Sequence, residues 1–321
     1  TAVSQTDGGQ IYLKAKLQLN NSTLPIAFGE QQRMLDFSGA QAAARLDQQG
    51  AEITLNLPLD QLGQIQAEIQ LPQLELSQLD QATQRLQGNL QARFDDLGFL
   101  NGVHPDLVDI GGRLNTDFKL SGTLKQPRIN GSADLSEGAL SVPALGLVLQ
   151  PITLTATSID QDRIHYQGTI PSGEGYLNIT GHTILDAADR FPSELSLKGE
   201  NWQAINVPEA ALQLSPDLRL TVSADKQPLE GDLLIPFARL RPRELPSGAI
   251  TASDDMVIVD QASAQPRPSP LESAFSAKIR LLFGDRVNFD GLGLRTALRG
   301  DLLLIDEPGR PVLGRGRIDV S

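Results

Sequence analysis

An all-β chain of mostly antiparallel strands is what this sequence predicts, and three observations predict it. Apolar and polar residues alternate with a period of two along nearly all 321 residues, the signature of strands with one dry face and one wet face. The alternating segments run 7 to 12 residues between Gly, Pro, Asn or Asp punctuation, as in strands joined by short turns. Helical periodicity is scarce.

Taken in order, "IYLKAKLQL" at 11, "AEITLNLPL" at 51 and "GQIQAEIQL" at 63 each set an aliphatic face against Gln, Lys, Glu or Asn. "LSQLDQATQRLQG", 76 to 88, has helical spacing in Leu79, Thr83 and Leu86 but reads equally as loop then strand. "DDLGFLNGVHPDLVD", 95 to 109, predicts a short helix starting near Asp95. Next comes "RLNTDFKLSGTLKQPRINGSADL", 113 to 135, where the apolar phase lies on even numbers to Leu124 and on odd numbers from Ile129. The chain therefore reverses around "KQPR". Asn130-Gly131, ordinarily a strong hairpin signal, falls inside the following strand. Residues 138 to 159 carry no charge for 22 positions, yet Pro143, Gly146 and Pro151 interrupt them and Thr153, Thr155 and Thr157 alternate. Two strands fit that pattern better than a membrane helix. Alternation resumes at "GYLNITGHTI" (175), "DLRLTVSA" (217), "AFSAKIRLLF" (274) and "RTALRGDLLL" (295). Between the last two pairs, "QASAQPRPSPLES", 261 to 273, has the composition of a mobile linker.

Composition excludes more than it selects. The chain is 40% hydrophobic but only 4% aromatic, with 10 Phe, 3 Tyr and 1 Trp, and its formal charge is -12. Nucleic-acid binding needs a basic patch, and none is visible in the sequence. The same sign weighs against lying flat on an anionic membrane. Without cysteine there is no thiolate nucleophile, Cys-based metal site or disulfide. The chain starts at Thr1 with no initiator Met, and the final alternation has no turn after it, so an excised piece of a longer protein is expected.

Chemistry-bearing motifs are weak. His104, His165 and His182 have no partner at metal spacing. Asp95-Asp96 and Asp254-Asp255 point to opposite faces if extended and read as a helix start and a turn. The Gly-x-Gly steps in "PSGEGY" at 171 and "DGLGL" at 290 do not open a helix with a third glycine, and no Gly-x-Ser-x-Gly occurs. Proline-rich stretches such as "IPFARLRPRELP" and "EPGRPV" read as strand punctuation. No catalytic residue, cofactor or metal is expected, and the chain reads as non-enzymatic.

Three partners for the dry face fit the alternation. A sandwich or closed barrel would bury the aliphatic faces against one another. A transmembrane barrel would turn them to lipid, but so few aromatics cannot furnish its two girdles. A curved sheet would make them the wall of an aliphatic groove for lipid chains. Two acyl chains of about fifteen methylenes each cost on the order of 20 kcal/mol to expose to water, at roughly 0.8 kcal/mol per methylene. Roughly twenty strands at about 4.8 Å spacing would make a trough approaching 100 Å long. Gly122, Gly131 and Gly231 on the apolar face suit a bent sheet.

Residues 215 to 259, "SPDLRLTVSADKQPLEGDLLIPFARLRPRELPSGAITASDDMVIVD", resemble the C-terminal domain of the TamB family, the inner-membrane component of the translocation and assembly module. The carrying features are "SPDLRL", "LEGDLLIPFARL" and the "SDD" step before "MVIV". "GDRVNFDGLGLRTALRGDLLL" at 284 is similar to the family's next segment. "LSGTLKQPRINGSADL" resembles strands common to TamB and the wider AsmA-like proteins. The resemblance is specific from about 85 to 320; from 1 to 84 it rests on alternation.

That resemblance implies a β-taco, one long curved, mostly antiparallel periplasmic sheet folded lengthwise around an elongated hydrophobic groove, with at most one or two short helices. One elongated domain is expected: 1–110 as the N-terminal part with its short helix near 95–109, 111–260 as the central segment, 261–273 as the linker, and 274–321 as the continuation. It further implies an envelope role in a Gram-negative bacterium, carrying phospholipid between inner and outer membranes. The alternative is a chaperone-like scaffold for outer-membrane proteins or autotransporters, acting with TamA. The TamA-contacting C-terminal segment and the inner-membrane anchor are expected to lie outside this sequence. The groove lining is assigned to Leu114, Phe118, Leu120, Ile129 and Leu135; to Ile152, Leu154, Leu177 and Ile179; to Leu218, Leu220, Val222, Leu233, Ile235 and Phe237; and to Phe275, Ile279, Leu292, Leu294, Leu298 and Leu302.

Overall fold

A computed structural model describes residues 2–7, 10–19, 23–28, 31–36, 38–59, 62–74, 84–158, 160–186, 188–241, 275–291 and 294–321; of 2–12 and 23–36 it describes the backbone alone. The strands are β1 (Ala2–Asp7), β2 (Gln10–Gln18), β3 (Thr23–Phe28), β4 (Gln31–Asp36), β5 (Gln41–Asp47), β6 (Gly50–Leu59) and β7 (Gly63–Pro72). They continue with β8 (Gln87–Phe94), β9 (Val108–Gly122), β10 (Pro127–Val142), β11 (Leu147–Ser158), β12 (Arg163–Ser172), β13 (Gly175–Ile184) and β14 (Ser193–Glu200). The remainder are β15 (Trp202–Val207), β16 (Ala210–Val222), β17 (Gln227–Leu240), β18 (Phe275–Gly291), β19 (Leu294–Asp306) and β20 (Leu313–Val320).

Eighteen of these strands join one curved sheet that does not close into a barrel, while β3 and β4 pair with each other alone. Its order follows the chain, from β1–β2 to β5 and then strand by strand to β20. Every pairing is antiparallel except β17 with β18, which run parallel. Because the strands lie side by side in chain order, their connections fall on two long rims. The first rim carries the turns at 123–126, 185–192, 223–226 and 307–312; the second carries 95–107, 143–146, 173–174 and 208–209.

The β9–β10 hairpin shows how sequence sets this course. Pro127 stands opposite Gly122, and the Thr123 amide donates to the Gln126 carbonyl at 3.1 Å, so the chain turns at 123–126. Gly131 lies within β10, opposite Phe118. Its φ is +139°, and a Cβ there would sit 1.9 Å from the Asp117 carbonyl oxygen, so only glycine fits. One hundred residues on, the same arrangement returns: Gly231 has φ +138°, faces Leu218, and would place a Cβ 2.1 Å from the Asp217 oxygen. The shared "D-apolar-basic-L" and "KQP" steps of the two hairpins encode this repeat. A bend without a side chain lets neighbouring backbones close up on the inner face of the curve.

Four adjacent strand lines bend a second time at one level. Asn201 has φ +50° between β14 and β15, and both strands pair along β16, so they are one strand with a break. Register shifts follow at Gln213/Ser215 in β16, Ile235/Phe237 in β17 and Phe283/Asn288 in β18. Aligned bulges increase local twist and kink the sheet, making a crease that turns its second-rim end aside.

The predicted short helix at 95–109 is a single 3-10 turn, Gly98–Leu100. Asp96 accepts from the Gly98 amide at 2.8 Å. The Asn101 side chain donates to the Gly98 and Ile110 carbonyls and accepts from the Ile110 amide. These local bonds, with Gly102 and Pro105 in the same stretch, compete successfully with helix propagation. Residues 138 to 158 form the end of β10, a 3-10 turn at Pro143–Leu145, and β11, the two strands expected. Positions 76–83 of the ambiguous stretch, and the linker 261–273, lie outside the described residues. Among the described residues, no helix is long and apolar enough to cross a membrane.

Little of this sheet has a second layer. The principal core is a cluster of Ala40, Leu59 and Phe94, onto which Leu97 and Phe99 fold from the 95–101 turn; the Phe94 and Phe99 rings are 5.3 Å apart. The chain's accessible surface is 21094 Å², against the about 13,000 Å² of a compact 34.6-kDa monomer.

Candidate functional site

Residues directly opposite in neighbouring strands share a face of the sheet, so register defines what the dry face contains. One row runs Phe94, Leu114, Leu135, Leu154, Gly168 and Ile179. It goes on through Leu197, Leu218, Gly231, Ile279, Leu304 and Gly314. This row crosses twelve strands without a charged residue. A parallel row passes through Ala44, Ile53, Ile69, Gly88, Leu120 and Ile129. Bulky and small residues are interleaved along each row, which keeps the inner face of a curved sheet from overfilling. The resulting surface is an elongated hydrophobic groove.

The groove is open along much of its length. Most of its aliphatics are half-buried, and several stand well exposed: Leu154 at 38%, Ile53 at 52% and Leu294 at 53%. Exposed apolar area on this scale marks a surface that takes a partner.

The sequence-assigned lining residues fall as follows. Leu114, Phe118 and Leu120 in β9, Ile129 and Leu135 in β10, and Ile152 and Leu154 in β11 share the dry face by register. So do Leu177 and Ile179 in β13, Leu218, Leu220 and Val222 in β16, and Leu233 and Ile235 in β17. In β18 and β19, Phe275, Ile279, Leu294, Leu298 and Leu302 do the same. Leu292 lies outside the described residues. Phe237 differs, for a physical reason. The extra residue at the β17 bulge flips the phase, setting Phe237 opposite Gln213 and Arg286 on the wet face. Ala238 and Val287 take the inner positions and are 3% and 2% exposed. Leu55, Leu57, Ile65, Leu90, Leu195 and Leu197 line the same face; their alternation was the available signal.

The second rim is finished differently from the open middle. At the second rim the 95–101 turn covers the apolar face over Phe94. Farther along, β15 runs past the tips of two hairpins. The Ser172 hydroxyl donates to the Gln203 carbonyl at 2.7 Å, and a Cβ on Gly146 would lie 2.0 Å from the Asn206 oxygen. These contacts hold the creased part of the sheet against the hairpin ends.

The wet face is dressed with ion pairs. Arg113 and Glu137 are bonded across β9 and β10; each holds the other charged, moving the Glu137 carboxyl below and the Arg113 guanidinium above its ordinary pKa. Asp47 is held down first by the Gln49 amide and then by Arg45. Lys198 and Asp217 pair at 3.1 Å. His165 faces His182 with ring centroids 6.1 Å apart, and His165 lies 3.4 Å from Asp160. Among the described residues no group of three or more His, Asp or Glu is placed to hold a metal. Asp95 pairs with Arg93, Asp254-Asp255 lie outside the described residues, and "PSGEGY" closes the β12–β13 hairpin.

Comparison with known proteins adds to this geometry. Residues 2–135 match the family model "TamB, N-terminal domain" and residues 161–321 match "TamB C-terminal domain". The first match extends the likeness through residues 2–84, where alternation had been its sole support. A Haemophilus influenzae protein, "Translocation and assembly module subunit TamB", is 24% identical over 240 residues, covering 70% of this chain and 18% of that protein. The chain thus spans less than a fifth of that curated relative's length. No solved structure matches.

Proposed function

This chain belongs to the TamB family, and on that premise we propose that it is a segment of a lipid conduit in the periplasm of a Gram-negative bacterium, passing phospholipid acyl chains along its groove between the two membranes. The supporting observation is the uncharged dry row that continues through twelve strands while much of it stays open. At about 4.8 Å per strand such a row is roughly 50 Å long, longer than an extended acyl chain. A phospholipid could lie in it or move along it without returning its chains to water, which would cost on the order of 20 kcal/mol. No residue acts chemically in this role; the aliphatics solvate. The Haemophilus influenzae relative is a subunit of the translocation and assembly module, which supports a place for this chain in that module; TamA as partner and an inner-membrane anchor are what the resemblance to the TamB family implies.

Native mass spectrometry of the purified chain should show bound phospholipid. Leu220→Arg and Leu233→Arg set a charge in the groove and should abolish it while leaving the chain folded, and photo-crosslinkers at Leu154 and Ile279 should capture lipid. Lipid-free protein that captures nothing from those positions would sink the conduit.

A second reading rests on β20, whose residues are all exposed and which pairs only with β19 among the described residues. Such an edge can take a client strand, as a scaffold for outer-membrane protein assembly would require. Proline substitutions in β20 should impair that function and spare lipid binding.

A further inference from the structure

The wet face of the second rim carries an arginine cluster that an aliphatic groove does not need. The Arg286 guanidinium lies 5.6 Å from the centre of the Phe237 ring. One pair along, Arg239 stands opposite Asn288, which stands opposite Ala297. At the rim itself, Asp290 pairs with Arg295 at 3.3 Å and with Arg241 at 3.7 Å. Four guanidiniums therefore share a patch three strands wide, and one carboxylate serves two of them. The Arg239 Nε is cut off from solvent and has no hydrogen-bond partner among the described residues, a costly arrangement for a charged donor. The whole chain carries a formal charge of -12, so a cationic concentration at one place stands out.

On the opposite face of the same strands stand Ala238, Leu240, Val287 and Leu294, each next in sequence to or within two residues of an arginine in the cluster. Successive strand residues point to opposite faces. The rim thus sets apolar lining and guanidinium charge back to back, within the thickness of one strand.

We propose that this patch docks the phosphate of a phospholipid whose acyl chains lie in the adjoining groove; the inference rests on the lipid reading above. Guanidinium forks match phosphate oxygens in pairs and bind them more strongly than neutral donors can. Asp290 holds the two rim arginines in place, while Arg239 and Arg286 add further positive charge beside them. The groove then takes any diacyl chain, and the rim prefers those bearing phosphate.

Native mass spectrometry in competition can test this with three probes: phosphatidylglycerol, diacylglycerol of the same acyl chains, and inorganic phosphate. The wild-type chain should retain phosphatidylglycerol over diacylglycerol by about tenfold or more, the worth of a charge-assisted contact. Arg241→Gln/Arg295→Gln, and separately Arg286→Gln, should lose that preference while binding diacylglycerol as before. Preference surviving in both variants would overturn the site. Equal retention of the two lipids by the wild type would also overturn it and leave the groove standing, whereas retention of neither would remove the groove as well. Inorganic phosphate bound as tightly as phosphatidylglycerol would make this a free-anion site and refute the headgroup assignment.

Discussion

Curvature in this sheet is set at single positions where a side chain cannot exist. Gly131 and Gly231 hold φ near +139° and +138° with a paired carbonyl oxygen where a Cβ would be. Gly131→Ala or Gly231→Ala must therefore either strain the backbone or push the neighbouring strand away. We expect each to lower unfolding free energy by at least about 2 kcal/mol, read from urea titration, with Gly111→Ala as a comparison where φ is ordinary and a Cβ would meet nothing nearer than the Ala139 Cβ at 3.8 Å. Charge on the wet face has a smaller effect. Glu137 has a folded pKa below its ordinary 4.5 because Arg113 bonds it. Its contribution is present above the ordinary value and is lost as pH falls through the folded one. With side chains 48% and 67% exposed, the pair is screened. Arg113→Gln should flatten the fall in melting temperature between about pH 5 and pH 3 and change little near neutrality. An unchanged acid slope would show that the pair contributes nothing.

Strands, more than residues, were what the sequence made legible. The phase change around "KQPR" located the β9–β10 turn, and unbroken odd phase placed Gly131 inside β10, because period-two alternation is a direct readout of which face a residue takes. Bulges were illegible for the same reason. An extra residue at 235–237 leaves composition unchanged and reveals itself only against the register of β16 and β18, so Phe237 was assigned to the groove. The 95–109 stretch misled differently, since its apolar spacing suited a helix while Asn101 bonded the backbone at both ends of the loop. The aligned crease likewise depends on cross-strand registration that no single segment carries. Its attachment is testable: Ser172 is buried and its hydroxyl donates to Gln203, so Ser172→Ala strands that carbonyl. A loss of about 1 kcal/mol and faster hydrogen exchange across 202–207 are expected. Exchange as slow as in the parent would mean that β15 is held by other contacts.

At the scale of the molecule, strands pack mainly on their immediate neighbours, β15 also reaching back to the β10–β11 and β12–β13 hairpin ends, and no second layer ties the two ends of the sheet together among the described residues. Such an array should behave as coupled nearest-neighbour units rather than as one cooperative core. Hydrogen-exchange mass spectrometry should find the strongest protection around Ala40, Leu59 and Phe94 and a decline toward β20, with unfolding spread over a broad denaturant range. A single sharp transition with uniform protection would contradict this. The two bulges of the parallel pair carry a different lesson. β18 takes two extra residues between Phe283 and Asn288 relative to β19 and keeps its phase, whereas β17 takes one and loses it. After the one-residue bulge the apolar residues of β17 move to even numbers, Ala238 and Leu240, and the inner face continues. A two-residue insertion needs no such change, while a one-residue insertion without it turns the rest of the strand inside out and puts charge in the path. Since the rows run in series, one such uncompensated event would interrupt the whole line. Natural variants should accordingly vary freely in the turns on the rims and change within strands either by even steps or by a single residue with the apolar phase reset beyond it.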